Sequence, residues 1–579
     1  MNTITPASEP CAATVPETIR KRKPQHTREA VCATVVELHP KTSAKGPSRR
    51  SVGRAHGIAE STLRGWCARW ERTGLSPEAL AFFESPEGLR FLRRVEVALL
   101  LVFGVMGGCG PSKMRMFLTL VGLAPLMACS VSYLHRRMDL LLGSIAKWGE
   151  AQRDALASDM PPRSVSLGAD ETFFKDMILV AADLVSGFVL VEKASETRDA
   201  ATWDKAVDDG LQGLNVDVFQ LVGDAATQLK ALAKDMLGVP KIEDLFHGQM
   251  AITRGMSRPL AAQVRQAQEA VVNAAETVKQ VQEARARYEG EQKHGPGRPP
   301  GWDAREAQVL AQQKQAKEAL AEASQRQEQV REATRALGTA VHPVNLETGV
   351  LQEPAEVQAQ LDDAFDRIEE AADEAGLSDK SHAKIRKAKR MAPSWVDLIQ
   401  RWFLLVQIRL VSLALPREVL AFMIDVVIPA VYLGRVLAQT TDTTRADALR
   451  EVRANLLRRL KDPGGVWLSV PRMMRVHLVQ AAQDCVDMFQ RSTSSIEGRN
   501  GYLSLHHHGL RGLRPAMLAA LTVIHNYVLQ RADGTTAAER FFGRPPGDLF
   551  EHLCEVMPAP GRPRRRPKKP AADEFLLAA

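Results

Sequence analysis

The sequence is poor in cysteine. Seven are spread over 579 residues, as Cys11, Cys32, Cys67, Cys109, Cys129, Cys485 and Cys554. No two share a CxxC spacing. An odd, scattered set argues against a disulfide framework and against a thiolate zinc site. Long apolar runs are also lacking. The two most apolar stretches are Ala98–Gly108, too short to span a bilayer, and Val419–Gly434, interrupted by Asp425. The first residues hold no apolar signal core. These absences predict a cytoplasmic protein without a membrane span. No internal repeat of solenoid type is visible.

What is present is a soluble globular balance, 45% apolar and 25% charged residues. The length allows roughly three to five domains at about 100–200 residues each. Net charge is +8 and is unevenly placed. Between Arg20 and Arg72 there are 13 Lys/Arg against 4 Asp/Glu, and Gly561–Lys569 adds six cations and no acid. Basicity concentrated at both ends suggests a polyanion such as DNA; a solubilising tail is the plainer alternative.

The pattern of apolar residues changes along the chain. Residues 28–150 read as helical, with a glycine-rich break at Gly107–Pro111. From Val165 to Asp244 the period shortens into the runs SVSLGAD, MILVAAD, FVLVEKA, DVFQLVGD and KIED. Polar helical stretches at Asp199–Leu211 and Ala225–Leu237 separate the last three. Three strands, helix, strand, helix, strand is a mixed α/β order. Beyond Gln249, Leu260, Val264, Ala267, Val271, Ala274, Val278 and Val281 repeat at spacings of four and three, a heptad seam. It stops at GPGRPPG (295–301), which cannot continue a helix. A second arm repeats Trp302, Val309, Ala316, Ala323, Val330 and Leu337 every seventh residue, with Gly338 as the expected C-cap. The pattern predicts an antiparallel helical hairpin. It either contacts DNA or another subunit, or is simply a solvated pair. Residues 340–530 read as further helices, and the tail from Pro558 is rich in Pro, Arg and Lys.

Two segments suit DNA. RRSVGRAHGIAESTLRGWCARW (49–70) fits a helix-turn-helix: Val52 and Ala55 facing the core, Gly57 in the turn, Ser61 as N-cap, Leu63 and Trp66 as anchors. Arg49, Arg50, Arg54, Arg64 and Arg69 would then face bases or phosphates. An ordinary helical hairpin is the alternative. The tail GRPRRRPKK, with Arg562 and Arg564, resembles an AT-hook for the minor groove; a nonspecific basic tail fits equally.

Carboxylates carry the candidate chemistry. Asp170 ends the first strand run, Asp224 ends the fourth, and Glu497 opens a helical segment, RSTSSIEGRNGYLSLHHHGLRGL. C-terminal strand ends are where α/β proteins build sites. Three converging carboxylates make an all-oxygen site that suits Mg²⁺ or Mn²⁺ rather than zinc. Two such ions can support phosphodiester transfer. A carboxylate at a strand end can equally be a local cap. Glu171 should point away from Asp170 on a strand and act structurally. His506, His507 and His508 cannot all ligate one ion on a helix, because neighbours diverge by about 100°. Trp203 and Trp395 read as core.

Three motifs in order, GADETFF with Asp170, LVGDAATQL with Asp224 and SSIEGRNGYLSLHHHGLRGL with Glu497, resemble bacterial insertion-sequence transposases with an RNase H-like Asp-Asp-Glu domain. DLFHGQM, with His247, resembles a stretch this family often has after its second Asp. The resemblance covers roughly 160–530. The separations, 54 residues from Asp170 to Asp224 and 273 from Asp224 to Glu497, resemble members with an all-helical insertion before the Glu.

The resemblance implies a multidomain α plus α/β protein. Its expected parts are a flexible basic arm (1–27), a helix-turn-helix domain (28–75), a second helical DNA-binding or linker domain (76–160) and the first part of an RNase H-like core (161–257). A helical insertion (258–490) with a coiled-coil hairpin (258–338), the last core helices with Glu497 (491–535) and a basic C-terminal segment (536–579) complete it. It implies a transposase that binds terminal inverted repeats and performs cleavage and strand transfer. Asp170, Asp224 and Glu497 would hold two Mg²⁺ or Mn²⁺ ions. His247 is expected to support a ligand or orient substrate. Arg499, Asn500 and Arg511 are expected at DNA, as is Arg491 at a phosphate. Expected partners are double-stranded DNA and further copies of the chain, a dimer or larger, in the bacterial nucleoid. The alternatives are a Mg²⁺-dependent nuclease that does not join strands and a non-enzymatic architectural DNA-binding protein.

Overall fold

The computed structural model describes residues 46–290, 300–510 and 512–563, together with 26, 34, 37 and 38. The chain divides into two compact units, Met1–Ile145 with Asp548–Ala579, and Ala146–Gly547. The sequence suggested a finer division, with boundaries near 75, 160 and 535. The C-terminal helix Leu549–Val556 belongs with the N-terminal unit. There Arg94 meets Glu551 at 2.6 and 2.7 Å, and Arg93 donates to the Cys554 carbonyl at 2.9 Å.

In this first unit, α1 (Arg49–Ala55) and α2 (Glu60–Trp70) are joined through Gly57, whose φ of +62° suits glycine. Val52, Ile58, Leu63 and Trp66 are buried between them. Two expectations are corrected. Ala55 is exposed; Gly53 is buried instead, because a Cβ there would meet the Ile58 carbonyl oxygen at 2.6 Å. Ser61 is not the N-cap, since α2 already starts at Glu60 after Ala59. Ser48 does cap α1, accepting from Ser51 N. Deeper in the unit, Arg137 binds Glu96 and the Pro558 carbonyl in a buried ion pair.

The second unit holds a five-stranded sheet in the order β3-β2-β1-β4-β5. The strands are β1 (Arg163–Phe173), β2 (Met177–Asp183), β3 (Val189–Ser195), β4 (Val216–Gly223) and β5 (Lys241–Glu243). β1, β2 and β3 pair antiparallel; β4 lies parallel to β1, and β5 parallel to β4. The element order is the mixed one expected, with α3 (Ala200–Leu211), capped by Asp199, and a helix starting at Thr227 between the last strands. β1 is central, and Val165 to Ala169 are buried in succession. A strand covered on both faces reads as a continuous apolar run rather than an alternating one.

α4 (Leu245–Gly290) starts immediately after β5, not at 258, with Asp244 accepting from Phe246 N at 2.8 Å. α5 (Trp302–Ala340) returns alongside it. The pair is antiparallel: Gln249 reaches the Thr334 carbonyl at 3.2 Å near the base, and Arg285 reaches Glu306 at 2.8 Å toward the far end. Leu260, Val278, Val309, Ala323, Val330 and Leu337 are buried along the expected stripe. Gly338 is not a cap, because α5 runs on to Ala340. Its missing side chain lets Gln249 approach; a Cβ would lie 2.7 Å from Nε2.

Further helices lead to α6 (Ser494–Leu510) and α7 (Pro515–Tyr527). Trp203 and Trp395 are fully buried, as expected. One stretch, Arg417–Gln439, is 23 residues long and, with a mean hydropathy of 1.9, apolar enough to cross a membrane by length and composition. Half of its apolar window is packed inside the unit, including Met423, Val427 and Leu433.

Candidate metal centre

The site forms where α4 and α6 meet one face of the sheet. β1 and β4 run parallel with Ala169 opposite Gly223, so Asp170 and Asp224 follow at the same level on neighbouring strands. Asp170 is not a strand terminus: β1 continues through Phe173, and Asp170 pairs with Val180. Asp224 lies just beyond β4. Glu497 sits in the first turn of α6, where the helix dipole favours a carboxylate.

Asp170, His247 and Glu497 each offer a ligand atom within 4.8 Å of the others. Among the described residues this is the grouping of acidic and imidazole side chains with metal-binding spacing. It differs from the expected triad. His247, at the foot of α4, takes a direct place: its Nε2 lies 3.3 Å from Glu497 Oε1 and 3.8 Å from Asp244 Oδ2. Those are ion-pair distances, at angles that leave Nε2 without a hydrogen bond. Asp224 stands outside the group, its Oδ1 accepting from Ala226 N at 3.0 Å. It lines a small recess with His247, Met250, Arg254 and Lys387. Arg254 and Lys387 are exposed cations there.

Buried contacts fix the group. Asn500 Nδ2 donates to Asp170 Oδ2 at 2.8 Å. Fully buried Asp244 accepts from the Thr493 hydroxyl and from Phe246 N, and Leu245 N donates to the Arg491 carbonyl at 3.1 Å. These bonds tie the start of α4 to the chain entering α6, which sets His247 beside Glu497. Lys241 Nζ donates to the Gly223 and Ile242 carbonyls at 2.8 and 3.0 Å. Burial pushes its pKa down to about 8.

The electrostatics are those of crowded acids. Burial and then the Glu497 carboxylate push Asp170 up to about 7, against the opposing pull of His247. The neighbouring Glu497 carboxylate raises His247, with Asp244 and Asp170 adding to it against burial. Two carboxylates and an imidazole this close form a mixed oxygen and nitrogen donor set with the spacing to hold a metal ion, not the all-oxygen set expected from the sequence.

Other expected residues fall elsewhere. Arg499 does not face DNA: it is 4% exposed, and its Nε and Nη2 bind Glu192 Oε1 and Oε2 at 2.8 and 2.6 Å. Asn500 is buried on Asp170 rather than free for DNA. Arg491 is also internal, its Nη1 donating to the Gly338 and Val341 carbonyls. Glu171 points away from Asp170, as expected, and accepts from Trp203 Nε1 at 3.0 Å and Gln228 Nε2 at 2.9 Å. His506 bonds the Tyr502 carbonyl while His507 stacks on Phe174, so the three histidines do not converge.

In the first unit, Arg50, Arg54 and Arg64 are exposed, with Glu60 3.7 Å from Arg50 and 3.5 Å from Arg64. Arg49 bonds Cys67. Arg562 is not a free tail cation: it contacts Glu84 at 3.3 Å and lies over the Trp66 ring. Arg511, Arg564 and the Arg69 side chain lie outside the described residues. Asp244, Thr493 and Glu192 were not singled out from the sequence. Asp244 stood within the DLFHGQM motif, but Glu192 had no such signal.

A family described as "Family of unknown function (DUF6399)" matches residues 423–569, a span that includes Glu497, Arg499 and Asn500. No curated protein matches the chain.

Proposed function

We propose that this chain is a DNA transposase of the Asp-Asp-Glu class, with an RNase H-like core interrupted by a helical insertion. The observation that carries the reading is the meeting of Glu497 with Asp170, residues 327 apart in the chain, beside His247 and at the level of Asp224. The sheet order supports it, since the first Asp lies on β1 and the second follows the parallel neighbour β4. The long helical segment between Asp224 and Glu497 supports it too.

Asp170 and Glu497 offer the oxygen donors that Mg²⁺ or Mn²⁺ takes, His247 adds a nitrogen that Mg²⁺ does not favour, and a bound cation would lower the raised pKa of Asp170. Held by Asp170 and Glu497, with Asp224 at the same level, such ions would supply an activated water and charge neutralisation at a phosphodiester. The protein's own groups position the chemistry. Asn500 fixes the rotamer of Asp170 by holding Oδ2. Asp244 and Thr493 hold the foot of α4 against the entry to α6, so that His247 and Glu497 face each other. Arg254 and Lys387, beside Asp224, give a phosphodiester backbone a cationic wall. Arg50, Arg54 and Arg64 on the α1–α2 pair supply phosphate or base contacts to the element's ends. Joining two ends calls for at least two copies of the chain.

The test is a labelled duplex carrying the ends that flank the chain's own gene, assayed for Mg²⁺-dependent nicking and joining. Wild-type protein should give both products and Glu497→Gln neither. Cleavage without joining restricts the activity to a nuclease. Binding with neither product, or full activity in Glu497→Gln, overturns the reading.

A further inference from the structure

A second cavity lies on the Asp170 face of the sheet, toward β3. Cross-strand pairing places Asp170, Val180 and Glu192 on one face, and Val180 with Ala182 forms the cavity floor. Its volume is about 230 Å³, and Arg499, His525, Arg531 and Arg540 line it.

The lining concentrates three arginines, and one of them keeps an unmatched donor. Glu192 is saturated, accepting two bonds from Arg499 and one from Thr522 Oγ1 at 2.6 Å. Arg499 retains one buried nitrogen, Nη1, without a hydrogen-bond partner. A buried guanidinium N–H left unmatched is costly and is rarely tolerated without a purpose. Arg531 stands exposed at the rim. Arg540 is fixed by the Ser186 carbonyl and by Thr535, yet keeps its charge. Asp533, which accepts from Thr535 at 2.7 and 2.9 Å, and Glu539 offset part of the charge of Arg540, and Asp533 part of that of Arg531. Burial and Arg499 hold His525 down to about 4, so it is neutral at pH 7 and does not offset the arginines. Ser495 and Ile496, in the first turn of the 17-residue α6, border the cavity and bring the positive end of the helix dipole.

We propose that this cavity binds a phosphate-class anion, inorganic phosphate or a phosphate monoester, with an oxygen accepting from Arg499 Nη1 and Arg531 closing the rim. The apolar floor of Val180 and Ala182 accommodates a small organic body. The site is separate from the carboxylate group and does not depend on the transposase reading.

The experiment is calorimetric titration and thermal shift of the full chain with inorganic phosphate at fixed ionic strength and pH 7.5. A saturable single-site isotherm with a matching rise in Tm is expected. Arg531→Ala, at an exposed position that leaves the fold intact, should weaken binding at least tenfold, and Arg531→Lys should recover part of it. A response that never saturates, or equal binding in wild type and Arg531→Ala, overturns the proposal. Unchanged phosphate binding at saturating random-sequence duplex supports a free small anion. Competition by the duplex overturns the proposal in favour of a nucleic-acid phosphodiester contact.

Discussion

Two adjacent carboxylates on β1 occupy opposite faces of the sheet, and their surroundings differ in kind. Glu171 meets donors: the Trp203 indole, the Gln228 amide and the Arg198 guanidinium at 3.5 Å. Asp170 meets the Asn500 side-chain amide and the Glu171 backbone amide, and otherwise a second carboxylate and an imidazole paired with that carboxylate. The first arrangement satisfies a buried charge and holds α3 and its neighbour to the sheet. The second leaves the charge short of compensation, which is why burial and Glu497 drive Asp170 up to about 7. Strongly perturbed carboxyls concentrate where chemistry or ligands are needed. One residue step along a strand separates a well-compensated acid from one short of compensation.

The sharpest way to break that contrast is to neutralise each acid in turn. Asp170→Asn should lower Mg²⁺-dependent DNA cleavage by about 10³-fold, in the range lost when one group stabilising transition-state charge is removed. Glu171→Gln should leave the rate within a few-fold and lower Tm. Equal losses of activity in gel-based cleavage assays would erase the distinction.

Glu192 extends the comparison to a satisfied acid on the Asp170 face. Its pair with Arg499 has both side chains nearly inaccessible. Arg499→Leu strands that carboxylate and should cost about 3–5 kcal/mol of stability in urea unfolding. A loss below about 1 kcal/mol would mean that the pair is not what anchors α6 to β3.

An effect of similar size appears in the pH dependence of stability. The Asp170 carboxyl rises from an ordinary 3.8 to about 7 on folding, so the folded state binds the proton more tightly. Its contribution is therefore greatest at low pH and is lost as pH climbs from about 4 through 7. The penalty above that range is about 4 kcal/mol. Asp170→Asn should accordingly be more stable than wild type at pH 8 and lose that advantage at pH 5. Parallel unfolding curves at both pH values would contradict the assignment.

The sequence made the local features legible. Short apolar runs located all five strands, the heptad stripe located the hairpin, and strand alternation separated Glu171 from Asp170. What it concealed was long-range pairing. Arg499 looked like a free cation beside Glu497, because its partner Glu192 lies 307 residues away in the chain. His247 looked secondary until α4 was seen to begin at Leu245, directly after β5, which brings its first turn to Glu497. Asp224 looked equivalent to Asp170, but its carboxylate turns back to cap Ala226. Ala55 followed the apolar pattern of α1, but the close approach of Ile58 at Gly53 sets which side of that helix is buried.

The most direct measurement is Mn²⁺ binding to the intact chain, followed by the loss of the free-ion paramagnetic resonance signal. Wild type and Glu171→Gln should bind Mn²⁺ alike, while Asp170→Asn and Glu497→Gln should each weaken binding at least tenfold. Undiminished Mn²⁺ binding in Asp170→Asn would contradict the account, because the group on β1, α4 and α6 would then not be the metal centre.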